Sequence, residues 1–180
     1  MTIKIIIGVL VALGIFVFVA RKTPSTIRVE RTFNAPVEKV WQIWTDVESM
    51  KKWWSPKDYT APVIKSDLQV SGKFLYSMQS PKGEMFWNTG QYVQVVPNKK
   101  IVLLMSFSDE NGKVIRGKEI PVPGVWPDAI RVSVDFEDVG GKTRVLVEEV
   151  GIPTIMKVFA KMGWEQQFDK FETLLNEDTA

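Results

Sequence analysis

Cysteine and histidine are both absent from the 180 residues. A chain without either cannot assemble a disulfide framework, a zinc finger, a cysteine nucleophile, a Ser-His-Asp triad or a histidine-ligated haem. Any chemistry would have to use Asp, Glu, Lys, Tyr, Ser or Thr. Missing cysteine is compatible with every redox compartment, so it does not locate the protein. An excess of one charge is lacking too. Of the 23 Lys and Arg residues only Lys4 precedes Arg21, all 21 Asp and Glu residues follow it, and the formal net charge is +2. That balance gives no electrostatic footprint for nucleic acid, and no nucleic-acid partner is expected.

Charge is also missing locally, from Ile5 to Ala20, where IIIGVLVALGIFVFVA has no polar side chain. Sixteen residues as a helix span roughly 24 Å, slightly short of the ~30 Å hydrocarbon core. Met1 and Ile3 extend the run, and Lys4 can snorkel to the headgroups. Its twelve Ile, Leu, Val and Phe residues favour insertion by roughly 4 to 7 kcal/mol. A cleaved signal peptide is a competing reading. Ala20 would suit the last position before cleavage, but Phe18 is too large two residues earlier. A buried helix is a third. The run is read as a single-pass anchor, with residues 3–20 in the membrane, residues 1–22 as the anchor unit and 23–26 as a linker broken by Pro24. Arg21, Lys22, Arg28 and Arg31 follow the run, which by the positive-inside rule favours a cytoplasmic domain. Gly8 and Ala12 have a small-xxx-small spacing that would let two anchors pair.

The remainder, residues 27–176 with a short tail at 177–180, has the patterning of one domain. Ile27 to Phe33 alternates as a strand. Asn34 and Pro36 open a helix whose Val37, Val40, Trp41 and Trp44 make one apolar stripe. Asp46 caps a second short helix carrying Met50, Trp53 and Trp54. Strand-like runs follow at 72–79, 85–96, 101–107, 130–136 and 143–150. They are separated by SPKGE, Pro97-Asn98, DENG and VGGK turns. Gly90 reads as a bulge or a close approach. The proline-rich stretch 113–128 reads as a loop partly covering the sheet, or a short edge strand. A long helix after Pro153 runs to about Asn176. Its inner face is Met156, Ala160, Trp164, Phe168, Phe171 and Leu175, and Gly163 reads as a close approach of another element. The expected fold class is α+β, with an antiparallel curved sheet of about six to seven strands around the C-terminal helix.

Four pieces carry a family likeness: RTFNAPVEKVWQIWTDVESMKKWW (31–54), GKF (72–74), GQYVQVVPNKKIV (90–102) and GWEQQFDKFETLL (163–175). In order and spacing they resemble the SRPBCC (START-like, helix-grip) superfamily, in the branch related to the C-terminal domain of the activator of heat-shock-protein-90 ATPase. The resemblance covers roughly residues 27–176. It implies a helix-grip fold with a hydrophobic cavity, and no shared catalytic motif. The hydrophobic leader and a longer 116–128 loop depart from the plain pattern.

The leading expectation is therefore a membrane-anchored module that binds an apolar small molecule or lipid between sheet and helix. Its lining would be Trp54, Tyr76, Met78, Tyr92, Trp164 and Phe168. A fully packed core is the competing reading. An enzyme of cyclase or hydrolase type would use Glu149, which keeps the inward parity of Val145 and Val147, with Tyr76. A protein-interaction or chaperone-regulating domain would present Trp53 and Trp126. Trp53 and Trp54 are adjacent, so at least one of them should face a cavity or the surface. Trp41 and Trp44 sit at core spacing. No cofactor is expected. Metal binding has no support, because in Glu148–Glu149 and Glu137–Asp138 adjacent side chains on a strand diverge.

Overall fold

The computed structural model of the protein describes residues 24–177. The apolar run at 3–20, assigned above to a membrane, lies outside them. Among the described residues no helix is long and apolar enough to cross a bilayer.

The chain runs β1 (Pro24–Phe33), α1 (Val37–Thr45), α2 (Val47–Trp53), β2 (Ile64–Ser66), β3 (Lys73–Gln79), β4 (Met85–Val96), β5 (Lys100–Ser108), β6 (Ile130–Asp138), β7 (Thr143–Pro153) and α3 (Lys157–Glu177). The seven strands form one sheet, ordered β1-β7-β6-β5-β4-β3-β2. Every neighbouring pair is antiparallel. The expected α+β class and the C-terminal helix are both present. Two elements differ from the sequence reading. The first strand starts at Pro24, through residues read as linker, because Pro24 and Ser25 pair with Pro153 and Ile152. The three-residue β2 has too short an alternation to show in sequence, and its pairing with β3 defines it.

One face of the sheet is apolar by parity. Ile27, Val29 and Phe33 on β1, Val145 and Val147 on β7, and Val132, Val134 and Phe136 on β6 are all buried. The helix α3 covers this face with Trp164, Phe168, Phe171 and Leu175. The sheet bends where backbones crowd. A Cβ at Gly90 would stand 1.8 Å from the Leu104 carbonyl oxygen, so only glycine fits. This is the close approach expected there; the register shift itself falls between Tyr92 and Gln94. Gly163 is different: its nearest neighbour would be the Pro56 ring at 3.9 Å, an ordinary contact, so no close approach explains it.

Trp44 stands at the centre of an aromatic cluster, with ring centroids 4.6 Å from Trp53, 5.4 Å from Phe171 and 5.5 Å from Phe136. Trp41 is half-buried and meets Phe136 edge-on at 5.2 Å. One of Trp53 and Trp54 was expected to face a cavity or the surface: neither reaches the surface, and Trp54 is the one that lines a small cavity. The helix α2 ends at Trp53, and Trp54 leaves helical geometry at φ −73° and ψ 61°. The helical rule that separates adjacent side chains stops applying there, and both rings are buried.

Arg31 keeps the inward parity of β1 but is not swallowed by the core. It reaches past the Phe168 ring, 5.4 Å away, to Glu165 at 2.7 Å and Asp169 at 2.6 Å on α3. These carboxylates are largely exposed, so water and salt weaken the pairing. Arg31→Leu should therefore cost only about 1 kcal/mol in urea unfolding. The deficit should shrink in high salt. A loss insensitive to salt would mean that stacking on Phe168, not charge, holds helix to sheet.

Candidate ligand-binding site

The space between sheet and helix is nearly filled. The enclosed cavity lined by Trp44, Trp54, Tyr76, Tyr92, Leu103 and Trp164 measures about 20 Å³. That admits about one water molecule, far below the ~300 Å³ of the smaller ligand pockets. The roomy internal cavity implied by the family resemblance is thus closed by the protein's own aromatic rings. Its hydroxyl groups satisfy one another, while the buried Trp54 indole N–H has no hydrogen-bond partner. The Tyr76 and Tyr92 hydroxyls share a short hydrogen bond, and Ser66 Oγ lies 2.7 Å from the Tyr92 hydroxyl. Burial, then the Tyr92 neighbour, pushes the Tyr76 phenol well above its ordinary value, so it stays neutral. Phe168 is fully buried against Phe33 and Trp44 and reaches neither this cavity nor the surface.

A second concavity is open. A groove of about 460 Å³ runs between the first turns of α3, the ends of β3, β4 and β5, and the 113–128 loop. Its walls are Tyr59, Met78, Phe86, Phe107, Trp126, Met156, Phe159 and Met162, and Trp164 belongs to both concavities. Strand pairing brings the walls together: Met78 lies opposite Phe86, and Asn88 opposite Phe107. Trp126 is anchored from the loop, its indole N–H donating to the Val122 and Pro123 carbonyls at 3.2 and 3.1 Å. It packs edge-on against Phe107 at 5.0 Å. The Tyr59 side is fixed by Lys170, whose ammonium donates to Ser55 Oγ and the Tyr59 carbonyl.

The floor of the groove is polar. Glu149 follows the inward parity of β7, opposite Ile27 on β1 and Val132 on β6. It is only 5% exposed. Burial among hydrocarbon pushes its carboxyl up to about 7, and a hydrogen bond from the Trp164 indole offsets this only in part. Gln167, which lines the same groove and is buried, has a side-chain oxygen without a hydrogen-bond partner. An unmatched buried acceptor and a carboxyl poised near neutrality in one groove are features found at functional sites.

Of the residues expected from sequence, Trp54, Tyr76, Tyr92 and Trp164 line the small closed cavity, and Met78, Trp164 and Glu149 line the groove. Glu149 and Tyr76 are not brought together; each lines a different concavity. Trp53, expected at an interaction surface, is fully buried, and Trp126 is a half-buried wall. Sequence reasoning missed Tyr59, Phe86, Asn88, Phe107 and Gln167. Phe86 and Asn88 were recoverable: the SPKGE turn sets the β3–β4 register, and residues opposite one another share a face. Among the described residues no cluster of acidic side chains could hold a metal ion.

A family model described as Activator of Hsp90 ATPase homolog 1-like protein matches residues 34–176. No curated protein matches the chain. Among solved structures, a protein from Nitrosomonas europaea is 22% identical, with a TM-score of 0.68 over 86% of this chain and 96% of its own. One from Chromobacterium violaceum is 21% identical, with a TM-score of 0.70 over 83% and 96%. An AHSA1 protein from Silicibacter pomeroyi is 18% identical, with a TM-score of 0.69 over 86% and 99%. At these identities the likeness establishes the fold and nothing finer.

Proposed function

The chain belongs to the activator of Hsp90 ATPase homolog 1-like family, and from that premise we propose that it is a membrane-anchored binding domain for an apolar small molecule or lipid. The ligand lies in the open groove, not in the closed space between sheet and helix. Residues 3–20 supply the anchor. The observation that carries the reading is Glu149: a buried carboxyl, poised near neutrality, at the base of an apolar groove with a free mouth. The unmatched Gln167 oxygen in the same groove adds an acceptor. The ligand that fits has an apolar body and a polar end that donates hydrogen bonds, such as a hydroxyl, an amide or an amine. Without a donor the buried acceptor stays unpaired, at a cost of about 1 to 3 kcal/mol.

Catalysis by Glu149 with Tyr76 loses its geometry, since the two line separate concavities and the Tyr76 hydroxyl is engaged by Tyr92. Protein interaction through Trp53 loses its anchor to the core.

The test is native mass spectrometry of the full chain, extracted in mild detergent from its own host. A small molecule should co-purify with the parent, and Phe86→Glu, which puts a charge in the groove wall, should release it. Repeated absence of any such molecule from the parent, or a bound molecule that Phe86→Glu leaves in place, would remove the groove as its site.

A further inference from the structure

The helix α3, with the 3-10 turn Thr154–Met156 that leads into it, has two apolar stripes. Trp164, Phe168, Phe171 and Leu175 face the sheet and are buried. Ile155, Val158, Phe159 and Met162 recur at i, i+3, i+4 and i+7, the spacing of one helical face. At 100° per residue that face points away from the first. All four are large and between 51% and 65% exposed. A contiguous exposed apolar patch of this kind marks an interaction site.

Three observations identify its occupant. The charges between Gly151 and Gly163 are Lys157 and Lys161 alone, with acids resuming at Glu165. A basic-flanked apolar helix end suits an anionic lipid surface. The pairing of Pro24 with Pro153 places the chain's exit towards residues 1–23 two residues from Ile155. The charge-free run ends at Ala20, so only four residue steps, roughly 14 Å fully extended, separate it from β1. Resting on the anchoring reading above, we infer that the Ile155–Met162 face docks on the bilayer in which the run is inserted. Phe159 and Met162 also line the groove. Its mouth therefore opens at the lipid surface, and an apolar ligand passes between bilayer and groove without crossing water.

Because the chain has no cysteine, single-cysteine variants of the full chain report position directly. Val158→Cys and Phe159→Cys carry a spin label in nanodiscs of phosphatidylcholine and phosphatidylglycerol. Lys142→Cys serves as control, at the opposite end of β7 from Pro153. Docking predicts loss of relaxation by an aqueous nickel chelate, with oxygen relaxation retained, at 158 and 159 but not at 142. Labels at 158 and 159 as open to nickel as at 142, on protein that floats with the discs, overturn docking and leave anchoring intact. Protein that does not float overturns both. Protection accompanied by spin–spin broadening that grows with copies per disc assigns the face to a second copy and overturns the lipid reading. Val158 does not line the groove, so its readout is independent of whether the groove holds a ligand.

Discussion

Trp53→Ala is expected to cost about 3 to 5 kcal/mol of stability, the range for truncating a large buried aromatic. Several losses coincide there. The ring is fully buried and contacts Trp44, Trp54 and Phe171, with centroids 4.6, 5.6 and 5.4 Å away. Its indole N–H donates to the Ile43 carbonyl at 3.2 Å, fastening α2 to the end of α1. Truncation opens a cavity where α1, α2 and α3 meet, and leaves that carbonyl unmatched. At roughly 2 to 4 °C per kcal/mol the melting temperature should fall by on the order of 10 °C. Trp126→Ala is the internal comparison. Trp126 is half-buried on a loop, so it should cost far less while altering the groove wall. The two losses, read by denaturant unfolding followed at both far-ultraviolet and fluorescence wavelengths, separate core from site. A Trp53→Ala loss no larger than that of Trp126→Ala would contradict the aromatic cluster as the centre of the core.

The order of elements was legible because parity and turn chemistry are local. Alternation in Ile27–Phe33 and Ile130–Phe136 marked the strands and their buried face. VGGK announced a hairpin that closes through backbone bonding of Val139 and Lys142, with both glycines at positive φ. Glu149 was legible by the same parity. What a sequence does not print is volume. The alternating residues correctly faced inward, but whether Trp44, Trp54, Tyr76, Tyr92 and Trp164 leave room or interlock depends on rotamers from several elements at once. Here they interlock. The groove was hidden for a related reason: its lining comes from two loops, four strands and α3, and the 113–128 segment has no periodic signature. The fate of Trp53 and Trp54 turned on where one short helix stops, a difference of a single residue. The second stripe of α3 was masked by the first, since two opposed apolar faces cancel the contrast that identifies an amphipathic helix.

Glu149→Gln should make the protein more stable at alkaline pH, and the size of the gain tests the proposed groove floor. Glutamine keeps the shape of the side chain and an oxygen to accept the Trp164 indole proton, but it cannot ionise. The folded-state carboxyl titrates near 7, against an ordinary 4.5. Below the lower value Glu149 is protonated in both folded and unfolded chains and costs nothing. Between the two values the unfolded chain releases its proton while the folded one holds it. Stability then falls with rising pH, by about 1.4 kcal/mol per pH unit. Above pH 7 the deficit levels off near ~3 kcal/mol, to order of magnitude. Denaturant curves of parent and variant should therefore converge near pH 4.5 and separate progressively to pH 8, with the variant ahead; every other titrating group cancels in the difference. Curves that stay parallel across this range would place Glu149 in contact with water and dissolve the polar floor. A residue that lowers stability at neutral pH, where an isostere would not, needs an offsetting partner. In the proposed site that partner is the donor end of the ligand, so ligand addition at pH 8 should stabilise the parent more than Glu149→Gln and narrow the gap between them.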